Sequence, residues 1–415
     1  MIKYEEFVLD NGLKVLVHED TSTPLAAVNI LYDVGARDEE EDKTGFAHLF
    51  EHLMFGGSKN IKSYDEPLQR AGGENNAFTN NDITNYYITL PSENLETAFW
   101  LESDRMKELD FSQKILDVQK SVVIEEFKQR YLNQPYGDVW LLLRPLAYKV
   151  HPYRWPTIGK DISHIEKAKL EDVREFFYKY YRPNNAIMVV AGNVKLSQVK
   201  ELSEKWFGDI DAGPINRRNL PVEPPQVEQR KLTEHRNVPV EALYLTFHGP
   251  DRRSDEYHAM DLMTDVLSNG HSSRLFRRLV KEKKLFSELH GYQTGQLDEN
   301  LIVVEGKLAP GVCMEHAETE IWKELENIKN ETVNEEELIK VKNKIEATIE
   351  FSEMSVLNKA MNLAYFELLG DADDVNREVE NYRKVTASDI MNQAKKIFRK
   401  ENNCVLYYLK NGATN

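Results

Sequence analysis

The sequence predicts an α+β protein made of two homologous domains, each an antiparallel-rich sheet covered by helices. Three observations carry this expectation. The first is an internal repeat. "IEKAKLEDVREFFYKYYRPNNAIMVVAG", starting at Ile165, matches "YRKVTASDIMNQAKKIFRKENNCVLYYL", starting at Tyr382. Asp172 answers to Asp389, Arg182 to Arg399 and Asn185 to Asn402, each pair set apart by the same interval. So long a period is that of a whole domain, not of a solenoid. The second is that the two halves begin alike, with "LAAVNILYDVGARDEE" in one and "VEALYLTFHGPDRRSDEYHAMDLMTDVL" in the other. The third is the Pro-rich, polar "GPINRRNLPVEPPQVEQRK" between them, which reads as a linker.

In chain order, "MIKYEEFVLDNGLKVLV" reads as strand, turn and strand. "LAAVNILY" is a strand followed by a polar turn and a helix, and "NYYITL" is a further strand. Each copy of the repeat is a helical stretch, a short polar turn with Asn, and a β-branched and aromatic strand. The expected domains are residues 1–212 and 232–415, joined by 213–231. Strands and helices come in clusters and do not alternate strictly, which favours antiparallel-rich sheets.

Composition excludes several functions. The 415 residues carry a formal net charge of −16, which disfavours phosphate backbones and anionic membrane surfaces, because such contacts rely on Lys and Arg. No run of about 18 apolar residues occurs, so no membrane span is expected. Only Cys313 and Cys404 are present, which favours a reducing compartment. The first residues lack the basic and apolar regions of an export signal. A cytoplasmic location is expected, or a periplasmic one if an export segment was removed beforehand.

The chemistry begins in "FAHLFEHLMFGG", residues 46 to 57. Positions i, i+3 and i+4 share a helix face, so His48, Glu51 and His52 project together, with Gly45 and Gly56-Gly57 as helix limits. Two imidazoles so spaced can both bind one zinc ion at about 2.0–2.1 Å, with Glu51 beside it as a base. The order is H-x-x-E-H. Alone, the stretch reads equally as a core helix with two incidental histidines. Its surroundings, Leu49, Phe50, Leu53, Met54 and Phe55, are apolar, and burying imidazoles and a carboxylate among them is costly without a partner.

A catalytic zinc needs a third protein ligand on another element. "LDVQKSVVIEEFKQR", residues 116 to 130, offers Glu125 and Glu126. Helical phase puts Glu126 with Gln119, Val122 and Val123 on the more apolar side, and Glu125 with Ser121 and Lys128 nearer solvent. Glu126, well downstream of His52, is therefore the expected ligand. Without the upstream motif, both would read as surface acids of a helix.

These stretches, with "LDNGLKVLV", "VGARDEEEDKTGFAHLFEHLMFGG", "AGGENNAFTNNDITNYY", "VVIEEF", "HPYRWPTIG" and "YYRPNNAIMVVAGNV", resemble the M16 (pitrilysin-like) zinc metallopeptidases. That family includes insulin-degrading enzyme and the mitochondrial processing peptidase. The resemblance covers essentially the full chain. It implies a LuxS/MPP-like metallohydrolase architecture and a half-size, two-domain member. It implies Zn2+ held by His48, His52 and Glu126, with Glu51 as general base on zinc-bound water. Asn76, Ala77, Phe78 and Thr79 would form the edge strand along which peptide is held; by themselves they read as a turn leading into "NYYITL".

Two departures stand out. Where many members carry an outer-shell glutamate seven residues before the ligand glutamate, this chain has Gln119. Where active members place an Arg and, seven residues on, a Tyr that grip the substrate backbone, "SSRLFRRLVKEKKLFSELHGY" puts Val280 and Ser287. Arg277, Arg278 or Tyr292 would substitute only with a slip in register. The resemblance implies a dimeric clamshell acting on unfolded peptides. The missing pair points to a heterodimer with a second M16-like subunit that supplies the grip, with a homodimer as the other possibility. The readings from other classes are a non-catalytic scaffold subunit and a peptide-binding module.

Overall fold

The computed structural model describes residues 1–214 and 218–412. Its strands are β1 (Glu5–Val8), β2 (Lys14–Glu19), β3 (Leu25–Tyr32), β4 (Glu74–Thr79), β5 (Thr84–Pro91), β6 (Ala186–Gly192), β7 (Arg230–Arg236), β8 (Ala242–Gly249), β9 (Phe286–Gln293), β10 (Asn300–Leu308) and β11 (Asn403–Lys410). The helices that build the cores and the site are α1 (Phe46–Leu53), α2 (Gln113–Phe127), α3 (Val139–Ala147), α4 (Leu170–Tyr180), α5 (Tyr257–Ser268), α6 (Val356–Leu369) and α7 (Ala387–Ile397).

Two sheets form, in the orders β1-β2-β6-β3-β5-β4 and β7-β11-β8-β10-β9. Apart from β1 they are the same sheet twice. In each, one pair is parallel (β2 with β6, β7 with β11) and the rest are antiparallel. The repeat read from the sequence is thus a repeat of topology. It extends to single hydrogen bonds. The Asn185 amide donates to Tyr180 O (2.8 Å) and Asp33 O (3.2 Å), and the Asn402 amide donates to Ile397 O (3.0 Å) and His248 O (2.8 Å). Each asparagine ties the end of a helix, α4 or α7, to the end of a strand, β3 or β8. Asp172 and Asp389 each accept from the amide that starts that helix, Lys169 N at 3.2 Å and Thr386 N at 2.8 Å, and at Thr386 the hydroxyl completes a capping box.

The compact units do not follow a single cut. One comprises Met1–Gln129, Trp155–Leu220 and Ile349–Arg377; the other comprises Arg130–Arg154, Pro221–Thr348 and Glu378–Asn415. The expected domains 1–212 and 232–415 therefore exchange segments, and the reason is apolar packing. In the first unit, α6 lays Ala360, Leu363 and Ala364 on Leu16, Ala27, Leu31, Val189 and Ala191 of the sheet. In the second, α3 lays Val139 and Leu143 on Ala242, Tyr244, Leu406 and Tyr408, while Ala147 packs with Leu301, Val303 and Cys404. Val139 and Val356, where these helices start, are separated by the same interval as the repeated Asp, Arg and Asn pairs. Each repeat thus gives its equivalent helix to the other's sheet.

The stretch expected as a linker is partly structural. The buried Glu223 carboxylate accepts from the amides of Lys149, Val150 and His151 at 2.8–3.0 Å. The buried Gln226 amide donates to Glu228 O and Asn403 O. These bonds pin residues 221–229 within the second unit, and strand β7 already starts at Arg230.

Candidate metal centre

Helix α1 starts at Gly45, whose φ of 91° suits glycine; a Cβ there would also stand 2.7 Å from Ile158 O. Its first turn is held by the buried Glu39, whose carboxylate accepts from the amides of Gly45 (2.9 Å) and Ala47 (2.8 Å). Burial pushes the Glu39 carboxyl well above the usual range, and the two amides oppose that shift. The sequence reading missed this residue. Glu39 was one acid in the polar run "DEEED", and only the fold brings it beneath the helix.

Phe46, Ala47, Leu49, Phe50 and Leu53 of α1 are buried. Phe50 stacks on Phe176 and Tyr181, with ring centroids 5.1 Å apart in both cases. The opposite face leaves His48, Glu51 and His52 half-buried. Helix α2 comes close to the end of α1 at Gly56, where a Cβ would stand 2.8 Å from Ile115 Cγ2 and 3.8 Å from Gln119 Nε2. Leu116, Val123 and Phe127 anchor α2 in the core, and Ser112 caps its start. Glu126 is half-buried and Glu125 is exposed, as the helical phase implied. Val122 departs from that reading. It is 44% exposed, because only the stripe through Leu116, Val123 and Phe127 faces inward.

The structure brings His48, His52 and Glu126 together. Glu126 Oε2 lies 3.6 Å from His48 Nε2 and 3.4 Å from His52 Nε2, and one donor atom from each residue falls within 4.8 Å of the others. The two imidazoles stand nearly perpendicular, at 86°. Tetrahedral bonds of about 2.0–2.1 Å put neighbouring ligands ~3.3–3.4 Å apart, so this donor set fits a zinc ion. Among the described residues it is the one group of three or more such side chains placed to hold a metal.

Glu51 is not part of that group. Burial raises its carboxyl above the usual range; Thr79 and His52 act downward, and Glu126 adds to the rise. Strand β4, which contains Asn76, Ala77, Phe78 and Thr79, is the outer strand of its sheet and among the described residues pairs only with β5. Its residues alternate between exposed (Asn76, Phe78) and half-buried (Ala77, Thr79), so its far edge is open to another strand.

The grip stretch lies in the second unit. Val280 falls in the π-helical Phe276–Glu282 and Ser287 in β9, where its hydroxyl donates to Lys307 O. Two of the three side chains that could replace the missing pair have neighbours, and Arg277 is exposed. Arg278 Nε stands 3.4 Å from Glu324, and the Tyr292 hydroxyl donates to Glu305 at 3.3 Å.

Comparison with known proteins agrees with the geometry. Residues 14–149 match the family model described as insulinase (peptidase family M16), and residues 167–345 match the model described as peptidase M16 inactive domain. The zinc protease PqqE of Helicobacter pylori is 33% identical over 348 residues, covering 82% of this chain and 78% of that protein. The crystal structure of a protease from Helicobacter pylori superposes with a TM-score of 0.92 at 29% identity, covering 98% of this chain and 100% of the other. The periplasmic protease PqqL from Escherichia coli shares the fold (TM-score 0.79, 17% identity), with 98% of this chain covering 47% of that one. No helix among the described residues is long and apolar enough to cross a membrane. The chain belongs to peptidase family M16 and resembles members named as zinc proteases.

Proposed function

We propose that the chain is a zinc-dependent endopeptidase that hydrolyses unfolded peptides. The observation that carries this reading is the convergence of His48, His52 and Glu126, with Glu51 alongside on the same helix face. A zinc ion bound by those three residues would supply Lewis-acid chemistry, polarising a carbonyl and acidifying water. Glu51 takes the proton of the attacking water and delivers it to the leaving amine. The open edge of β4 aligns the substrate through main-chain hydrogen bonds, which accept many side-chain sequences. Gln119, beside the end of α1, takes the outer position as a neutral hydrogen-bonding group.

The working form in this reading is a dimeric clamshell, with this chain as the zinc-bearing half. Val280 and Ser287 at the grip positions favour a second M16-like subunit as partner, with the exposed Arg277 the side chain that would have to serve if the chain worked alone. Metal analysis, size-exclusion and assays on an unstructured peptide test both parts. The chain is expected to carry zinc and to turn over slowly until a companion bearing Arg and Tyr is added. Full activity as a homodimer would overturn the heterodimer. In the active assembly Glu51→Gln should keep zinc and peptide binding while losing roughly 100- to 10,000-fold in kcat. Retained turnover would refute the base.

A further inference from the structure

Helix α1 has no cap of its own. Its N-cap is Gly45, which has no side chain to accept from the amides of the first turn. The left-handed φ and the nearby Ile158 carbonyl keep glycine at that position. The cap comes from Glu39 instead, through both oxygens. Oε2 accepts from Gly45 N at 2.9 Å and Oε1 from Ala47 N at 2.8 Å. Ala47 immediately precedes His48, and both lie in the first turn. His52 lies in the second turn, where amides are bonded within the helix.

The internal repeat supplies a contrast. Asp38-Glu39 recurs as Asp255-Glu256, at the interval that separates Asp172 from Asp389. Glu256 is the N-cap of α5 but gives that helix no side-chain hydrogen bond; it is half-buried and pairs with Lys396. The copy whose helix gathers metal donors is the one whose acid is only 7% exposed and bonded to the start of that helix.

We propose that Glu39 is a positioning residue of the metal centre, bracing the first turn of α1 so that His48 meets the ion together with His52 and Glu126. The inference rests on the reading of those three residues as zinc ligands, and it deepens that reading with a residue outside the ligand set. Because both oxygens accept, the brace needs a carboxylate. An amide in its place keeps one acceptor and turns an N–H group towards the other backbone amide. A negative charge also suits the N-terminal end of a helix, where the aligned peptide dipoles leave a partial positive charge. Loss of the brace frees the first turn and His48 with it. His52 is still held by the second turn, and Glu126 by α2.

The test measures zinc affinity of the full chain by competition with a chelator, together with the geometry of the loaded site. Glu39→Gln should weaken zinc binding roughly 10-fold and Glu39→Ala up to about 100-fold, the range for residues that support metal ligands. In zinc-loaded crystals of Glu39→Gln, His48 should be displaced or disordered while His52 and Glu126 keep their places. Glu256→Gln, the same change in the other copy, should bind zinc like the wild type. Leu363→Ala, which lowers the stability of the first unit through α6, should do so too. Unchanged affinity in Glu39→Gln, an undisturbed His48, or an equal loss in Leu363→Ala would overturn the proposal. If Glu39→Ala does not fold, Glu39→Gln decides alone. A wild-type chain that binds no zinc sinks the reading of the centre itself; a wild type and a Glu39→Gln protein that bind it equally sink only the role of Glu39.

Discussion

The two units hold the same sheet and differ in what the helix following strand β3 or β8 presents. In the first unit, α1 turns His48 and His52 towards Glu126 of α2, and the three donors converge on one point. In the second, α5 has a comparable half-buried face with His258, Asp261 and Asp265. There every group is engaged by a neighbour. The Tyr382 hydroxyl donates to Asp261 at 2.7 Å, the Asn269 amide to Asp265 at 2.6 Å, and His258 Nε2 lies 3.0 Å from Glu378. One arrangement is a set of donors sharing a centre; the other is a closed polar network. The topology that builds a helix beside an edge strand is common to both. The difference lies in what the groups on that helix face meet: a shared centre in the first unit and neighbouring hydrogen-bond partners in the second.

The sharpest way to break this comparison is to move the metal. Glu126→Gln should lower zinc affinity beyond the ~10- to 100-fold that an outer residue costs, and abolish hydrolysis. Asp261→Asn in the second unit should leave zinc content unchanged, measured by metal analysis after dialysis. Zinc retained by Glu126→Gln, or lost from Asp261→Asn, would mean that the metal belongs to the other unit.

The exchanged helices provide a second test. Leu363 of α6 and Leu143 of α3 are both fully buried, one on each sheet. Leu→Ala at either position should cost about 2–5 kcal/mol. Hydrogen exchange should place the first loss in the six-stranded sheet and the second in the five-stranded sheet. Loss of protection in the contiguous half of sequence instead would contradict the exchange.

The smallest effect is a difference in pH response. His164 Nδ1 accepts from the amide of Thr44 at 3.1 Å, next to the start of α1, and burial holds its pKa below the usual 6.5. The folded state prefers the neutral ring. Its contribution is therefore complete above 6.5 and lost as pH falls through the lower folded value. Asp265 has the opposite sign. Burial lifts its carboxyl from 3.8 to about 6, so the folded state prefers the protonated acid and the second unit gains stability as pH falls through 6. Exchange protection followed from pH 7.5 downward should weaken around α1 and strengthen around α5. His164→Gln and Asp265→Asn should each remove one trend; parallel trends in both units would reject the assignment.

Much of the site was legible in the sequence because its spacing is local. His48, Glu51 and His52 lie within two helical turns, so periodicity alone places them on one face. Choosing Glu126 over Glu125 also needed only helical phase, and the exposure of the two residues agrees. The same argument misjudged Val122, because phase orders residues around a helix but does not say how wide its buried stripe is. Glu39 was illegible. It acts across six and eight residues of irregular chain, and no period links a capping acid to the helix it caps.

The sequence by itself determined the repeat, since one constant interval preserves each helix, turn and strand and even the paired asparagines. It also determined which residue types could meet on α1. Only the tertiary structure decided which sheet each helix covers, because α3 and α6 carry apolar faces that suit either equivalent sheet and chain order does not choose between them. It decided too that Glu126 comes within 3.6 Å of both histidines. That approach depends on how closely α2 packs against Gly56, a contact between elements far apart in the chain that no local pattern encodes.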